Sequence, residues 1–204
     1  MIKICGITNI LDALHAVNAG ATAIGFNFYS KSKRYISPNN ARDIADKIRN
    51  RITIIGLFVN EQISVVQEIQ NTVGLHYLQF HGDETPKYVS RFSSAIKVFR
   101  VNNNIEDELI SQYSTDAILF DTFSEGEFGG TGRTFNWKLT EPFSKKYSVI
   151  IAGGLNPENV QGAIRNAKPF GVDVSSGVEI KPGVKDKIKV TSFINEALTA
   201  FETI

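Results

Sequence analysis

Short runs rich in β-branched and aromatic residues recur at residues 2–5, 23–28, 52–59, 76–80, 95–100, 116–121, 148–152 and 171–175, with helical patterns between them. Each run is bounded by Gly, Asn, Asp or Ser, as expected for a strand covered on both faces of a parallel sheet. Alternation of this kind needs a crossover helix after every strand. The 204 residues give about 25 per unit, close to the smallest βα unit that closes a barrel. An open doubly wound sheet typically stops at about six strands and carries its glycine-rich turn after the first. Here the glycine-rich turns follow the seventh and eighth runs. The chain therefore reads as one α/β domain, a (β/α)8 TIM barrel spanning residues 1–204.

The helical patterns carry their own punctuation. After Asn9, the apolar positions Ile10, Leu14 and Val17 share a face, and Gly20 marks the stop. Ser37-Pro38, Thr85-Pro86 and Asn156-Pro157 each join an N-cap residue to a proline at the first helical position, where its missing N–H costs nothing. Val160, Ala163, Ile164 and Ala167 predict one apolar stripe. Val190, Phe193, Ile194, Ala197, Leu198 and Phe201 predict another.

Composition closes off several function classes. The 22 basic and 21 acidic residues are spread evenly, so no long-range field attracts nucleic acid or an anionic membrane. No run approaches the roughly 20 apolar residues of a membrane span. The single cysteine, Cys5, excludes an intramolecular disulfide, and the N-terminus lacks the charge order of a signal peptide, so the expected compartment is the cytoplasm. Three histidines without paired ligand spacing argue against a metal site. Monomer and homodimer both stay open.

Barrel enzymes build their sites on the loops after the C-terminal ends of the strands, and phosphate binds most often after strands seven and eight. Those ends read Ala152-Gly153-Gly154-Leu155 and Asp173-Val174-Ser175-Ser176-Gly177-Val178. Glycines let backbone N–H groups approach an anion, serines add hydroxyl donors, and a short helix after Ser175 would add its positive end. One Gly-Gly alone is more often a tight turn; two such loops side by side favour a phosphate site over Gly153, Gly154, Ser175, Ser176 and Gly177.

Period-2 alternation sets Lys3 and Cys5 on one face of the first strand and Ile2 and Ile4 on the other. The isoleucines suit the helix layer, which leaves Cys5 at the barrel mouth. A lone cysteine is usually an inert small core residue. Placed here, with an ordinary thiol value of about 8.5, it is a workable base, more so if Lys3 lies near. Asp121 ends the sixth run; it is either a turn cap or an acid, and burial or an anionic substrate would help keep it protonated. Gln79 and His81 share one face at the end of the fourth run, where His81 either donates a hydrogen bond or braces the loop. Arg34, beside Lys31 and Lys33, is a bidentate carboxylate clamp or a solvated loop residue. The glycine-rich stretch 125–133 is a candidate for closing over a ligand.

Seven motifs occur in order: Lys3-Ile4-Cys5-Gly6-Ile7-Thr8, Ser32-Lys33-Arg34-Tyr35-Ile36-Ser37, Gln79-Phe80-His81-Gly82-Asp83-Glu84, Phe120-Asp121-Thr122, Phe128-Gly129-Gly130-Thr131-Gly132, Ile151-Ala152-Gly153-Gly154-Leu155 and Asp173-Val174-Ser175-Ser176-Gly177-Val178-Glu179. Together they resemble the phosphoribosylanthranilate isomerase family from the first residues to the start of the last helix. Phe80, where leucine is common, and Asn136, where aspartate is usual before Trp137, depart from its pattern. The resemblance implies an Amadori rearrangement of N-(5-phosphoribosyl)anthranilate in tryptophan biosynthesis, with a small phosphorylated substrate and no cofactor. It assigns Asp121 as general acid, Cys5 as general base, Arg34 to the anthranilate moiety, and Gly154, Ser175, Ser176 and Gly177 to the phosphate, with His81 and Asp173 lining the site.

Two other readings keep phosphate loops. A metal-dependent pentose-phosphate epimerase would want two strand-end histidines, and an indole-glycerol-phosphate synthase a strand-end lysine and glutamate; neither set is evident. A non-catalytic sugar-phosphate sensor would have no use for Cys5 opposite Asp121.

Overall fold

The structure is a computed structural model and describes residues 1–101, 106–122 and 134–204; the stretch 125–133 singled out above lies outside the described residues. Eight parallel strands close a barrel in chain order: β1 (Ile2–Cys5), β2 (Ala23–Asn27), β3 (Thr53–Phe58), β4 (Tyr77–Phe80), β5 (Ala95–Val101), β6 (Ala117–Thr122), β7 (Val149–Ile151) and β8 (Gly171–Val174). Every strand boundary falls within one residue of the sequence expectation. Helices α1 (Ile10–Ala19), α2 (Pro38–Ile48), α3 (Ile63–Val73), α4 (Pro86–Val89), α5 (Asp107–Ile110), α6 (Glu141–Ser144), α7 (Val160–Ala167) and α8 (Lys187–Phe201) follow the strands in turn. A small hairpin, β9 (Glu179–Lys181) and β10 (Val184–Lys185), precedes α8 and had no signature in the sequence pattern.

Side-chain alternation divides the core into two layers. Ile2, Ile4, Phe26, Phe58 and Phe80 point outward and are buried against the helices, while Ala23, Ile55, Ile96, Val98, Leu119 and Ile150 fill the barrel. Phe80, the aromatic departure noted above, lies in the outer layer with Tyr88 edge-on and Phe92 beside it, ring centroids 5.6 and 5.0 Å away. Its extra bulk is taken up far from the barrel interior.

Helix starts follow the caps closely. Asn9, Ser37 and Thr85 each accept a backbone N–H of the first turn through their side chains. The third proline site differs: Asn156 and Asn159 each accept the other's backbone N–H, and this reciprocal turn delays the start of α7 to Val160. On α8, Val190, Phe193, Ile194 and Ala197 are buried as expected, but Leu198 is 43% exposed and Ala200 is buried instead. At about 100° per residue the buried arc centres between Phe193 and Ile194, which puts Leu198 on its margin. The departure at Asn136 is conservative, because its side-chain oxygen accepts the Lys138 N–H and starts a 3-10 turn, as an aspartate would. Among the described residues no helix is long and apolar enough to cross a membrane.

Candidate active site at the C-terminal ends of the strands

A cavity of about 640 Å³, counting its open mouth, lies at the C-terminal ends of the strands. That size suits a small molecule. Cys5, Arg34, His81, Asp121, Gly153, Gly154, Asp173, Ser175 and Ser176 all line it, together with Asn27, Ser32, Leu57 and Gln79. Of the residues expected at the site only Gly177 stays behind the lining, packed under the Leu155 carbonyl. The base and acid candidates thus share one space although 116 positions separate them in the chain.

β1 supplies the base side. Pairing with β2 and β8 sets Lys3 beside Ala23 and Asp173, and Lys3, fully buried, donates to Asp173 Oδ2 at 2.8 Å and Gln79 Oε1 at 2.7 Å. The sulfur of Cys5 packs against β2, where Gly25 makes room: a Cβ there would stand 2.7 Å from Sγ and 3.0 Å from Lys3 Cε. Burial pushes the thiol above its ordinary value; the Lys3 and Lys185 ammonium groups pull it back in part, and the Asp173 carboxylate adds to the rise. Sequence reasoning placed the thiol near its ordinary value. The cation it hoped for is present, but desolvation outweighs it. Lys3 itself is raised: burial opposes its charge, yet Asp173 and Cys5 together more than offset that cost.

β4 and β6 supply the acid side. Asp121 Oδ1 accepts the Thr122 N–H at 2.8 Å, and Oδ2 lies 3.2 Å from His81 Nε2. That is ion-pair distance, but the ring N–H is not aligned on the carboxylate, and among the described residues Nε2 has no hydrogen-bond partner. The loop after β7 presses against this acid: Gly153 has φ +80°, and a Cβ on it would overlap the Thr122 backbone and hydroxyl and reach within 3.0 Å of Asp121 Oδ1. Only glycine fits there.

The loop after β8 forms a single 3-10 turn, Ser176–Val178, rather than a true helix, so backbone and hydroxyl donors outweigh any helix dipole. Among the described residues, neither the buried Ser175 Oγ nor the buried Asp173 Oδ1 has a hydrogen-bond partner. Buried polar atoms are nearly always satisfied, so three unpaired ones (with His81 Nε2) converging on one cavity point to a ligand that completes them.

Arg34 lies at the rim, and the structure adds what the sequence did not reveal: Glu179 holds it bidentately, through Nε at 2.9 Å and Nη2 at 2.8 Å. Glu179 also accepts from Lys185 Nζ at 2.9 Å and the Gly183 N–H at 3.2 Å. Burial works against its charge, but Arg34 and Lys185 outweigh burial and hold the carboxyl below its usual range. Glu179 stood in the last motif without a role; the β9–β10 hairpin that carries it gave no signal. His76 accepts the Ile54 N–H on Nδ1, and His15 bonds the Lys187 carbonyl and Thr191 away from the cavity. No group of three or more His, Cys, Asp or Glu side chains among the described residues could hold a metal ion.

Fold and cavity together define a class: a (β/α)8 barrel with a polar, incompletely satisfied pocket where such barrels carry their active sites. The chain belongs to the N-(5'-phosphoribosyl)anthranilate isomerase family, whose model matches residues 2–196. It is 44% identical over 197 residues to N-(5'-phosphoribosyl)anthranilate isomerase from Pelobacter propionicus, covering 96% of this chain and 94% of that protein. The crystal structure of phosphoribosyl anthranilate isomerase from Thermotoga maritima superposes with a TM-score of 0.86 at 39% identity, covering 97% of this chain and 98% of that one. A solved complex of such an isomerase with reduced 1-(o-carboxyphenylamino)-1-deoxyribulose 5-phosphate matches with a TM-score of 0.82 at 39% identity, covering the same shares of each chain.

Proposed function

We propose that this chain, working as one catalytic domain over residues 1–204, isomerises N-(5'-phosphoribosyl)anthranilate to 1-(o-carboxyphenylamino)-1-deoxyribulose 5-phosphate by general acid and base catalysis. Family membership over nearly the whole chain supports the activity. The observation that carries the mechanism is that Cys5 and Asp121 line one cavity with unpaired polar atoms beside both.

In this reading Asp121 gives its proton to the ribose ring oxygen as the C1′–O bond breaks, and the anthranilate nitrogen lone pair forms the Schiff base. The Cys5 thiolate then removes the C2′ proton, and its electrons return to nitrogen to give the enolamine. As C1′ gains a proton and the C2′ hydroxyl loses one, the ketone forms with no net proton change. No cofactor enters. Positioned acid and base groups of this kind are worth about 10²- to 10⁴-fold each.

The phosphate goes to the loops after β7 and β8, with Gly153, Gly154, Ser175, Ser176 and Gly177 supplying backbone and hydroxyl donors. Arg34 takes the anthranilate carboxylate, and Asp173 Oδ1 takes a sugar hydroxyl. A base that must remain a free thiol suits a reducing compartment, which supports a cytoplasmic enzyme. The test is the isomerase assay on the purified protein, read as loss of substrate anthranilate fluorescence. Turnover by the wild type is expected, and none under any condition would sink the reading.

A further inference from the structure

Between the base side and the acid side runs a buried chain of polar contacts that the proposed mechanism leaves unused. Asp173 Oδ2 accepts from Lys3 Nζ at 2.8 Å, and Lys3 Nζ donates to a Gln79 amide oxygen at 2.7 Å. The other end of that amide lies 3.3 Å from His81 Nδ1, and His81 Nε2 lies 3.2 Å from Asp121 Oδ2.

The chemistry of each donor settles the direction of the next contact. An ammonium group has no lone pair, so the Gln79 atom facing Lys3 must be the oxygen, and the atom facing His81 is then the NH2. An NH2 group can only donate to the ring, so Nδ1 keeps its lone pair and the ring proton sits on Nε2.

We propose that Gln79, locked by Lys3, is a positioning residue that holds His81 in the Nε2–H tautomer so that the ring cannot accept the proton of Asp121. The step rests on the reading of Asp121 as the acid. A lone pair on Nε2, 3.2 Å from Oδ2, would compete with the substrate's ring oxygen for the acid proton. With Nε2 protonated, His81 can only donate: its N–H, without a partner among the described residues, can serve a substrate oxygen or the carboxylate that proton delivery creates. Of the two roles the sequence leaves open for His81, donor and brace, the contact with Gln79, which Lys3 orients, selects the donor.

The test is the ring ¹⁵N spectrum of His81 at about pH 8, where an ordinary imidazole is neutral. The chain has only three histidines, and loss of one signal in His81→Asn assigns it. Wild-type protein is expected to carry the proton on Nε2. Gln79→Glu, nearly isosteric and still able to accept from Lys3, should move it to Nδ1 and lower kcat at least tenfold while KM moves less. Should that variant fail to fold, Gln79→Met, which can neither accept from Lys3 nor donate to the ring, should lose the tautomer preference with a similar fall in kcat. A proton on Nδ1 in the wild type, or wild-type kcat in a folded Gln79 variant, would overturn the proposal. The spectra need no turnover, so a protein without isomerase activity whose His81 carried Nε2–H would defeat the acid assignment and leave the tautomer standing.

Discussion

Two buried lysines each hold a carboxylate at 2.8 Å, Lys97 with Glu84 outside the barrel wall and Lys3 with Asp173 inside it. They differ in what remains unpaired. Lys97 also donates to the carbonyls of Phe80 and Gly82, and the second oxygen of Glu84 takes the N–H groups of Asn60 and Gly82. Every group has a partner from the protein, and the result is a brace beneath the loop that carries His81. Lys3 is also satisfied, but Asp173 Oδ1 is buried with none among the described residues, and Asp173 lines the cavity. Burial wins at Lys97 and lowers its affinity for a proton despite Glu84; at Lys3 the combined charge of Asp173 and Cys5 wins over burial and raises it. Two ion pairs of equal length thus play different parts, and leftover hydrogen-bonding capacity separates the brace from the site.

Removing groups on the cavity side should abolish chemistry without touching the fold. Cys5→Ala and Asp121→Asn are each expected to lower kcat by about 10³-fold, with ligand affinity and melting temperature close to wild type. Activity within twofold of wild type in either variant removes that residue from the mechanism.

The brace should respond in the opposite sense. Lys97→Met leaves Glu84 buried with only backbone donors, a change that typically costs about 3–5 kcal/mol of stability. Chemical denaturation is expected to show a loss of that order, and the double variant Lys97→Met/Glu84→Gln should regain most of it. Lys3→Met should cost less, because Asp173 keeps access to the open cavity. Equal losses at the two lysines would erase the distinction.

A third contrast is in pH. The working form of the base is the thiolate, and burial holds Cys5 above the ordinary thiol value despite Lys3. Direct titration of the thiol, followed by its ultraviolet absorbance, should therefore find it above the ordinary value of about 8.5. Lys3→Met removes a cation that pulls the thiol down, so its titration should move to still higher pH. A titration that stays in place in Lys3→Met would mean that Lys3 serves only Asp173 and Gln79.

The barrel was legible because both of its signals are local. A strand buried on both faces is a short apolar run wherever it occurs, and Ser37-Pro38 or Thr85-Pro86 marks a helix start with neighbouring residues alone. The loops after β7 and β8, Cys5 and Asp121 were legible by position, since strand ends are where barrels put their chemistry. What escaped reading depends on register around a closed barrel. Lys3 meets Gln79 and Asp173 across 76 and 170 residues, and Arg34 meets Glu179 across 145. No periodicity carries that information. The rise at Cys5 escaped for a related reason, because the cost of burying a thiol depends on how tightly β2 closes over it at Gly25, which one strand's sequence cannot show.

Arg34 falls between the two kinds of pair and gives the finest test of the contrast. Its carboxylate is complete: Glu179 has Arg34, Lys185 and the Gly183 N–H. Its guanidinium is not, since among the described residues only Nε and Nη2 are engaged and the group lines the cavity. If the remaining N–H groups take the substrate carboxylate, Glu179 serves to aim them. Arg34→Ala should then raise KM about tenfold, the worth of roughly 1.4 kcal/mol, with kcat little changed. Glu179→Gln keeps the shape but gives up the bidentate charge, so its KM should rise by less. Lys185 still neutralises the loop in Arg34→Ala, so a collapse in stability there without a change in KM would assign Arg34 to the brace instead of the site.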